Sequence, residues 1–256
     1  MNDINVLKEN GVDLEKSLEL LEDMGTYDEI MSEFLKESSN KIADLKKYAE
    51  AGDLESYGRC AHSLKSDARY LGFTQVAEKA IEHEMESKDG NIDFVHGHVD
   101  DIINEVGKMV EVGRKYLVQA PIEIIDDETP KESTILVVDD SDLIRTFIYS
   151  IFNSEFNVVV AEDGSSAITI IENDKDEKIK AVFLDLNMPN VNGFGVLDYF
   201  NEHNLFNKYP VSIITGVDDK DLITRAFKYN IVDMLQKPFT EKDVKRIVER
   251  TIRNGK

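Results

Sequence analysis

The chain has 256 residues, of which 41% are hydrophobic and 32% are charged, a composition typical of soluble globular proteins with one or two domains. Its formal net charge of −21 disfavours direct binding to nucleic acid or anionic membranes, because both reward clustered lysine and arginine. No apolar stretch reaches the ~20 residues of a membrane helix, and the N-terminus lacks the pattern of a signal peptide. With one cysteine, Cys60, no internal disulfide can form, so we expect a cytoplasmic protein without membrane insertion.

The N-terminal part of the chain has a helical pattern. From about residue 12 to residue 118 apolar residues recur at helical spacing, as in Leu14, Leu18 and Leu21. Turn-forming residues divide this stretch at Gly25-Thr26, Ala51-Gly52-Asp53, Gly72-Phe73-Thr74 and Asp89-Gly90. Asp53 and Thr74 are predicted N-caps. The pattern predicts an all-α, antiparallel four-helix bundle over residues 1–118.

The next segment and the C-terminal part differ in pattern. Residues 119–133 contain Pro121, Pro130 and the acidic run Asp126-Asp127-Glu128, which indicates a linker. From Thr134 onward, short apolar runs alternate with helical stretches. Strands are predicted at 134–138, 156–160, 180–184, 211–214 and 231–235. This alternation predicts an α/β domain over residues 134–256, with a doubly wound, five-stranded parallel sheet.

Polar residues stand where the predicted strands end. They are Asp139, Asp140, Asp185, Thr215 and Lys237. We expect them in one pocket, because the ligand crevice of an open α/β sheet lies beyond the carboxyl ends of its strands. Three carboxylates so close together require a bound cation or proton uptake, and ligands that are all oxygen suit Mg²⁺. A carboxylate flanked by a metal and Lys237 suits nucleophilic attack on a phosphoryl group, because both cations offset the charge on the transferring oxygens.

Residues 133–253 resemble a response-regulator receiver domain, which has a flavodoxin-like fold. The matching stretches are Ile135-Leu-Val-Val-Asp-Asp-Ser141, Phe183-Leu-Asp-Leu-Asn-Met-Pro189 with Gly193, Ile214-Thr-Gly216 and Gln236-Lys-Pro-Phe239. The resemblance implies that Asp185 is the phosphorylated aspartate and that Thr215 and Lys237 contact the phosphoryl group. The implied Mg²⁺ ligands are Asp139, Asp140, Asp185 and the backbone carbonyl of Asn187. The chain departs from the family at Met234, where an aromatic residue often turns inward after phosphorylation.

The helical part also contains a candidate functional residue, His62. Its predicted helix carries an apolar stripe formed by Tyr57, Cys60, Ala61, Leu64, Ala68 and Leu71. His62, Ser66 and Arg69 point away from that stripe and Lys65 lies at its border, so we expect His62 to be exposed. An exposed imidazole near cations suits phosphorylation at a ring nitrogen, because the cations stabilise the product anion.

Residues 61–72, Ala-His-Ser-Leu-Lys-Ser-Asp-Ala-Arg-Tyr-Leu-Gly, resemble the central helix of histidine-containing phosphotransfer (HPt) domains. Leucine and lysine follow the histidine by two and three positions, and a glycine follows by ten. The resemblance extends to the surrounding four-helix pattern and departs at Ser66, where the family commonly has glycine. It implies that His62 is a phosphoacceptor, with Lys65 beside it.

Together the two resemblances imply a two-component phosphorelay protein. It would pass a phosphoryl group between His62, Asp185 and partner domains, with Mg²⁺ required at the aspartate. The expected partners are sensor histidine kinases and other receiver or HPt domains. The sequence shows no Gly-Lys-Ser/Thr phosphate loop and no kinase-like ATP site, which favours a phosphoryl-transfer intermediary over a kinase.

Two other functions are compatible with parts of the pattern. In an adaptor, only Asp185 is phosphorylated and the helical domain is a docking platform. In a phosphohydrolase, Asp185 is the nucleophile of an α/β core. The hydrolase is disfavoured by Asn187, because aspartate-based hydrolases place a second acid at that position to protonate the leaving group.

Overall fold

The computed structural model describes residues 3–117, 131, 133–216 and 220–254. These residues belong to two compact units, a helical unit over 3–117 and an α/β unit over 133–216 and 220–254. Apart from Lys131 and Ser133, the predicted linker at 119–133 lies outside the described residues. Among the described residues, no helix combines the length and the hydropathy needed to cross a membrane.

Six α-helices form the helical unit between residues 3 and 117. They are α1 (Ile4–Glu9), α2 (Leu14–Leu21), α3 (Met24–Ala51), α4 (Leu54–Tyr70), α5 (Thr74–Lys88) and α6 (Ile92–Tyr116). The four long helices, α3 to α6, confirm the predicted bundle, and α1 and α2 are two short additions. Their core contains fully buried aromatic side chains, among them Tyr27, Phe34, Tyr57 and Tyr70.

The helix ends test the predicted turns and caps. Asp53 is an N-cap as predicted, since its side chain accepts a hydrogen bond from the backbone N–H of Ser56. The turn predicted at Gly25-Thr26 is wrong, because Asp23 accepts from both backbone N–H groups and caps α3 one residue before Met24. Thr74 is not an N-cap either. It is the first residue of α5, and Phe73 holds the cap position without a side-chain hydrogen bond.

Gly72 ends the connection between α4 and α5 in a conformation that needs glycine. Its φ is +76°, and a Cβ atom there would lie 2.5 Å from the carbonyl oxygen of Asp13. The backbone N–H of Asp13 donates to the carbonyl of Gly72 at 2.9 Å. Gly72 therefore joins the start of α2 to the end of α4, which gives the glycine ten positions after His62 a structural role.

The α/β unit contains, within residues 133–216 and 220–254, a sheet of five parallel strands. They are β1 (Thr134–Val138), β2 (Asn157–Ala161), β3 (Ile179–Leu184), β4 (Val211–Thr215) and β5 (Asp233–Gln236), in the order β2-β1-β3-β4-β5. The connecting and terminal helices are α7 (Asp142–Phe152), α8 (Gly164–Asn173), α9 (Gly193–Glu202), α10 (Lys220–Ala226) and α11 (Glu241–Asn254). The predicted doubly wound parallel sheet is confirmed.

The strands differ in burial according to their place in the sheet. Each residue of β1 and β4 is buried, whereas β5, at the sheet edge, is half-buried and ends in an exposed residue. The predicted strand at 231–235 accordingly begins two residues later, at Asp233. The order of strands changes direction between β1 and β3, so the ligand crevice lies beyond their carboxyl ends.

Candidate functional site

Three acidic side chains meet beyond β1 and β3, as predicted. Carboxylate oxygens of Asp139, Asp140 and Asp185 all lie within 4.8 Å of one another. Asp139 and Asp185 are almost completely buried and Asp140 is half-buried. Adjacent strand ends bring these groups together, and their oxygen-only donor set fits Mg²⁺.

Lys237 lies against the same acids. Its Nζ is 2.6 Å from Oδ2 of Asp139 and 2.7 Å from Oδ2 of Asp185, and the lysine is 8% exposed. Its backbone N–H donates to the carbonyl of Thr215 at 2.8 Å, so the ends of β4 and β5 are joined here. Thr215 is buried at the end of β4. The structure thus places Lys237 directly on Asp185 and Thr215 on the neighbouring strand.

Asn187 also contacts Asp185, through its backbone. Its N–H donates to Oδ1 of Asp185 at 3.2 Å. The chain then turns back into α9 at Gly193, where a Cβ atom would collide with the carbonyl oxygen of Asp185. Gly193 therefore allows the loop after β3 to fold closely over the acidic cluster.

The charges of this cluster are unbalanced. Burial raises the pKa of Asp139 to about 6; the Lys237 ammonium opposes that rise and the Asp185 carboxylate adds to it. For Lys237, burial lowers the pKa, but the carboxylates of Asp139 and Asp185 outweigh burial and raise it well above its usual range. Lys237 therefore stays protonated, and one ammonium faces three carboxylates. A divalent cation would neutralise the remaining charge.

His62 lies on α4 and is buried, so the prediction of an exposed histidine is wrong. It is 9% exposed, and its Nδ1 lies 2.8 Å from Oε1 of Glu84 and 3.1 Å from Nζ of Lys65. Ser66, predicted on the same outward face, is 8% exposed. The apolar stripe of α4 identified one buried face, but α5 supplies polar partners that cover a second. Lys65 is beside His62, as the motif implied.

Glu84 on α5 is the centre of this polar cluster. Its Oε1 accepts from Nζ of Lys88 at 2.6 Å as well as facing His62, and its Oε2 accepts from Nζ of Lys65 at 2.7 Å. Burial raises the pKa of Glu84, but hydrogen bonds and charge from His62, with those from Lys65 and Lys88, hold it well below its usual range. Glu84 is therefore a carboxylate, and a carboxylate accepts hydrogen bonds only.

The charge of Glu84 fixes the proton on His62. Because Nδ1 faces this carboxylate at 2.8 Å, and because Lys65 has its own acceptor in Glu84, we assign the imidazole proton to Nδ1. The lone pair of the neutral ring then belongs to Nε2.

Glu84 was missed by the sequence analysis. Its partner His62 lies 22 positions away on another helix, so no local spacing joins them. The helical periodicity of α5 does contain a signal, because it places Glu84 on the inward face of an amphipathic helix. The buried residues of that helix are Val76, Ala77, Ala80, His83, Glu84 and Ser87. A carboxylate on that face requires a buried cation or donor nearby.

The family comparisons agree with both units. Residues 29–111 match the Hpt domain family, and residues 135–249 match the response regulator receiver domain family. The chain belongs to the two-component phosphorelay proteins, with an Hpt domain followed by a receiver domain.

The curated relatives match about half of the chain. Two-component response regulator ARR7 of Arabidopsis thaliana is 30% identical over 135 residues, which cover 49% of this chain and 66% of that protein. The 3',5'-cyclic-nucleotide phosphodiesterase regA of Dictyostelium discoideum is 27% identical over 131 residues, covering 50% of this chain and 16% of that protein. This chain therefore covers only part of each relative's length.

Among solved structures, the signal receiver domain of a Luxo repressor protein from Vibrio parahaemolyticus is 26% identical, with a TM-score of 0.44. The match covers 48% of this chain and 92% of that chain.

Proposed function

We propose that this protein passes a phosphoryl group between His62, Asp185 and partner domains, and that Mg²⁺ is required at the aspartate. The observation that carries the proposal is the pairing of Asp185 with Lys237 at 2.7 Å inside a cluster of acids. His62 and Asp185 each lie within a segment that matches the corresponding domain family. The site roles rest on these contacts and on the motif positions.

At the aspartate, an oxygen of Asp185 attacks the phosphorus of phosphohistidine or of a small phosphodonor. The bond from phosphorus to the donor atom breaks as the acyl phosphate forms. Lys237 offsets the charge that gathers on the phosphoryl oxygens, and the hydroxyl of Thr215 donates to one of them. Asp139, Asp140, Asp185 and the carbonyl of Asn187 would hold Mg²⁺, which supplies the second positive charge.

At the histidine, Nε2 of His62 is the nucleophile. With the proton held on Nδ1 by Glu84, the lone pair on Nε2 is available to attack the phosphorus of a partner's aspartyl phosphate. As the bond from Nε2 to phosphorus forms, the bond from phosphorus to the partner's aspartate oxygen breaks and that aspartate leaves as a carboxylate. The ring becomes more positive during this step, and the Glu84 carboxylate stabilises that charge. Lys65, 2.7 Å from Glu84, keeps the carboxylate in place and adds a cation beside the incoming group.

The proposed partners are sensor histidine kinases and other receiver or HPt domains, and the proposed location is the cytoplasm. We propose that the phosphoryl group enters from another protein or from a small phosphodonor; residues 1–256 contain no Gly-Lys-Ser/Thr phosphate loop. A chain with a single cysteine, Cys60, fits a reducing compartment.

A second candidate function is the adaptor in which only Asp185 is phosphorylated. The burial of His62 favours it, because a phosphoacceptor at 9% exposure offers a partner little ring surface. In that case the acidic cluster and Lys237 keep their roles, and the helical unit only binds a partner.

Phosphotransfer in Mg²⁺ with wild type, His62→Gln and Asp185→Asn distinguishes the two functions. Acetyl phosphate is the phosphodonor for Asp185. A phosphorylated receiver domain from a histidine kinase is the phosphodonor offered to His62 in the helical unit. Acid-labile, base-stable label on wild type that is lost in His62→Gln supports the relay. Label that forms only on Asp185 in every reaction supports the adaptor.

A further inference from the structure

Helices α4 and α5 approach closely one turn away from His62. Gly58 is buried on α4, and a Cβ atom at this position would lie 2.5 Å from Oγ of Ser87 on α5. The same Cβ atom would lie 3.5 Å from Cβ of Ser87, which is an ordinary van der Waals distance. The hydroxyl of Ser87 therefore occupies the space that any larger residue at position 58 would need.

The Ser87 hydroxyl is itself fixed to the residue that holds His62. Its Oγ donates to the backbone carbonyl of Glu84 at 2.8 Å, and both residues are buried. Gly58 precedes His62 by four positions on α4, and Ser87 follows Glu84 by three on α5, so each pair shares one face of its helix. The Gly58–Ser87 contact and the His62–Glu84 bond are therefore neighbouring contacts of one interface.

We infer that Gly58 and Ser87 form a spacer that positions Glu84 against His62. The two residues set the distance between α4 and α5, and the bond from Nδ1 to the carboxylate depends on that distance. A hydrogen bond of 2.8 Å weakens once its atoms separate by several tenths of an ångström. Gly58 and Ser87 are positioning residues that act through Glu84, and the inference rests on the proposed role of His62.

The proposed spacer and helix propensity predict opposite effects of the substitution Gly58→Ala. Alanine forms helices more readily than glycine, so Gly58→Ala should by propensity alone favour α4. A steric spacer predicts the reverse, because the added Cβ must displace the Ser87 hydroxyl, and with it the bond to the Glu84 carbonyl, or move α5 away. Removing the Ser87 hydroxyl leaves only the 3.5 Å contact and should make room for alanine.

The test uses the full chain as wild type, Gly58→Ala, Ser87→Ala and the double variant. The first readout is the ¹⁵N signal of each His62 ring nitrogen, which reports which nitrogen carries the proton. The second is the rate of phosphoryl transfer to His62 from a phosphorylated receiver domain. Gly58→Ala is expected to shift the Nδ1 signal and slow transfer about tenfold, the effect of losing one charge-assisted hydrogen bond. The double variant is expected to transfer as fast as Ser87→Ala.

Gly107→Ala is the matched control, since this glycine also lies within a helix, α6, but an added Cβ would have nothing within 4 Å. It is expected to keep the wild-type ring signals and rate. The inference is overturned if a folded Gly58→Ala variant keeps the wild-type ring signals and the wild-type transfer rate. It is also overturned if the double variant transfers as slowly as Gly58→Ala. If the wild type never forms phosphohistidine, the proposed function fails. The ring signals of the variants then test by themselves whether Gly58 and Ser87 position Glu84 against His62.

Discussion

The tautomer assigned to His62 depends on one buried carboxylate. Glu84 bonds His62, Lys65 and Lys88, and because it stays charged it keeps the ring proton on Nδ1. An Nδ1 proton directs the nucleophilic lone pair to Nε2. The tautomer that the proposed reaction of His62 needs therefore depends on a residue from another helix.

We predict that Glu84→Gln slows phosphoryl transfer to His62 about tenfold. A neutral amide stabilises the developing positive charge on the ring less than a carboxylate does, and charge-assisted hydrogen bonds are about twice as strong as neutral ones. Rapid-quench transfer from a phosphorylated receiver domain measures the rate. Glu82→Gln is the control, because Glu82 lies on the same helix in a half-exposed pair with Lys79. An unchanged rate in Glu84→Gln would refute the role of the carboxylate.

His83 makes the stability of the helical unit sensitive to acid. It is fully buried, its Nδ1 lies 2.6 Å from the hydroxyl of Tyr57, and burial lowers its pKa to about 4. Lys79 and His98 lower that pKa further, while Glu82 and Asp101 raise it. In the unfolded chain the pKa returns to about 6.5, so the unfolded state binds this proton first as pH falls.

We predict that the free energy of unfolding decreases between pH 6.5 and pH 4 by up to about 3 kcal/mol because of His83. Urea unfolding of the full chain at several pH values, followed by helical circular dichroism, measures the slope. His83→Gln removes the titrating group and should flatten this part of the curve. A slope that is equally steep in His83→Gln would assign the effect to other groups. Glu84, whose pKa is lowered, contributes at lower pH, below about 4.5.

At the scale of elements, the loop between β3 and α9 is anchored from the neighbouring loop between β2 and α8. Nδ2 of Asn190 donates to Oδ2 of Asp163 at 2.8 Å, and the N–H of Gly164 donates to the carbonyl of Val191 at 2.9 Å. A Cβ atom on Gly164 would collide with that carbonyl. This loop carries Asn187, so its anchoring matters for the proposed Mg²⁺ site.

We predict that Asn190→Asp weakens Mg²⁺ binding several-fold and lowers the stability of the α/β unit by about 1 kcal/mol. In this variant the new carboxylate at position 190 and the carboxylate of Asp163 would repel each other, whereas the amide of Asn190 now donates a hydrogen bond to Asp163. The exchange Asp163→Asn with Asn190→Asp should restore both quantities, since an amide and a carboxylate again oppose each other. Calorimetric titration with Mg²⁺ measures the affinity. If the exchange fails to recover it, the pairing does not act through the loop.

Each of the two units has its own core and its own cluster of polar residues. Buried aromatic residues such as Tyr27 and Tyr57 belong to the helical unit, and Phe147, Phe183 and Phe200 belong to the α/β unit. The acidic cluster and Lys237 come from the α/β unit, and His62 with Glu84 comes from the helical unit. Each unit therefore holds the groups that its proposed reaction needs.

We predict that residues 1–118 and residues 134–256 fold as separate polypeptides. A domain with its own core is expected to be stable alone. The second polypeptide should bind Mg²⁺ and accept a phosphoryl group from acetyl phosphate within twofold of the full chain. The first should show the same His62 ring signals as the full chain. Loss of either property on separation would mean that the boundaries at 118 and 134 are wrong or that the units depend on each other.

Sequence patterns were enough to predict the fold class and the convergence of the acidic residues with Lys237. The site residues follow directly after buried strands, and parallel strands end at one edge, so Asp139, Asp185 and Lys237 had to converge. Motif resemblance added which of the three carboxylates is expected to accept the phosphoryl group. These features depend on local periodicity and on strand topology, both of which a linear pattern records.

The environment of His62 could not be predicted from a linear pattern, because residues of another helix form it. Its burial depends on how close α5 lies, and that distance depends on Gly58 and Ser87, which are 29 positions apart. The half-buried state of β5 likewise depends on its place at the sheet edge. A helix pattern shows which side chains share a face, but it does not show which other helix covers that face or how closely it packs.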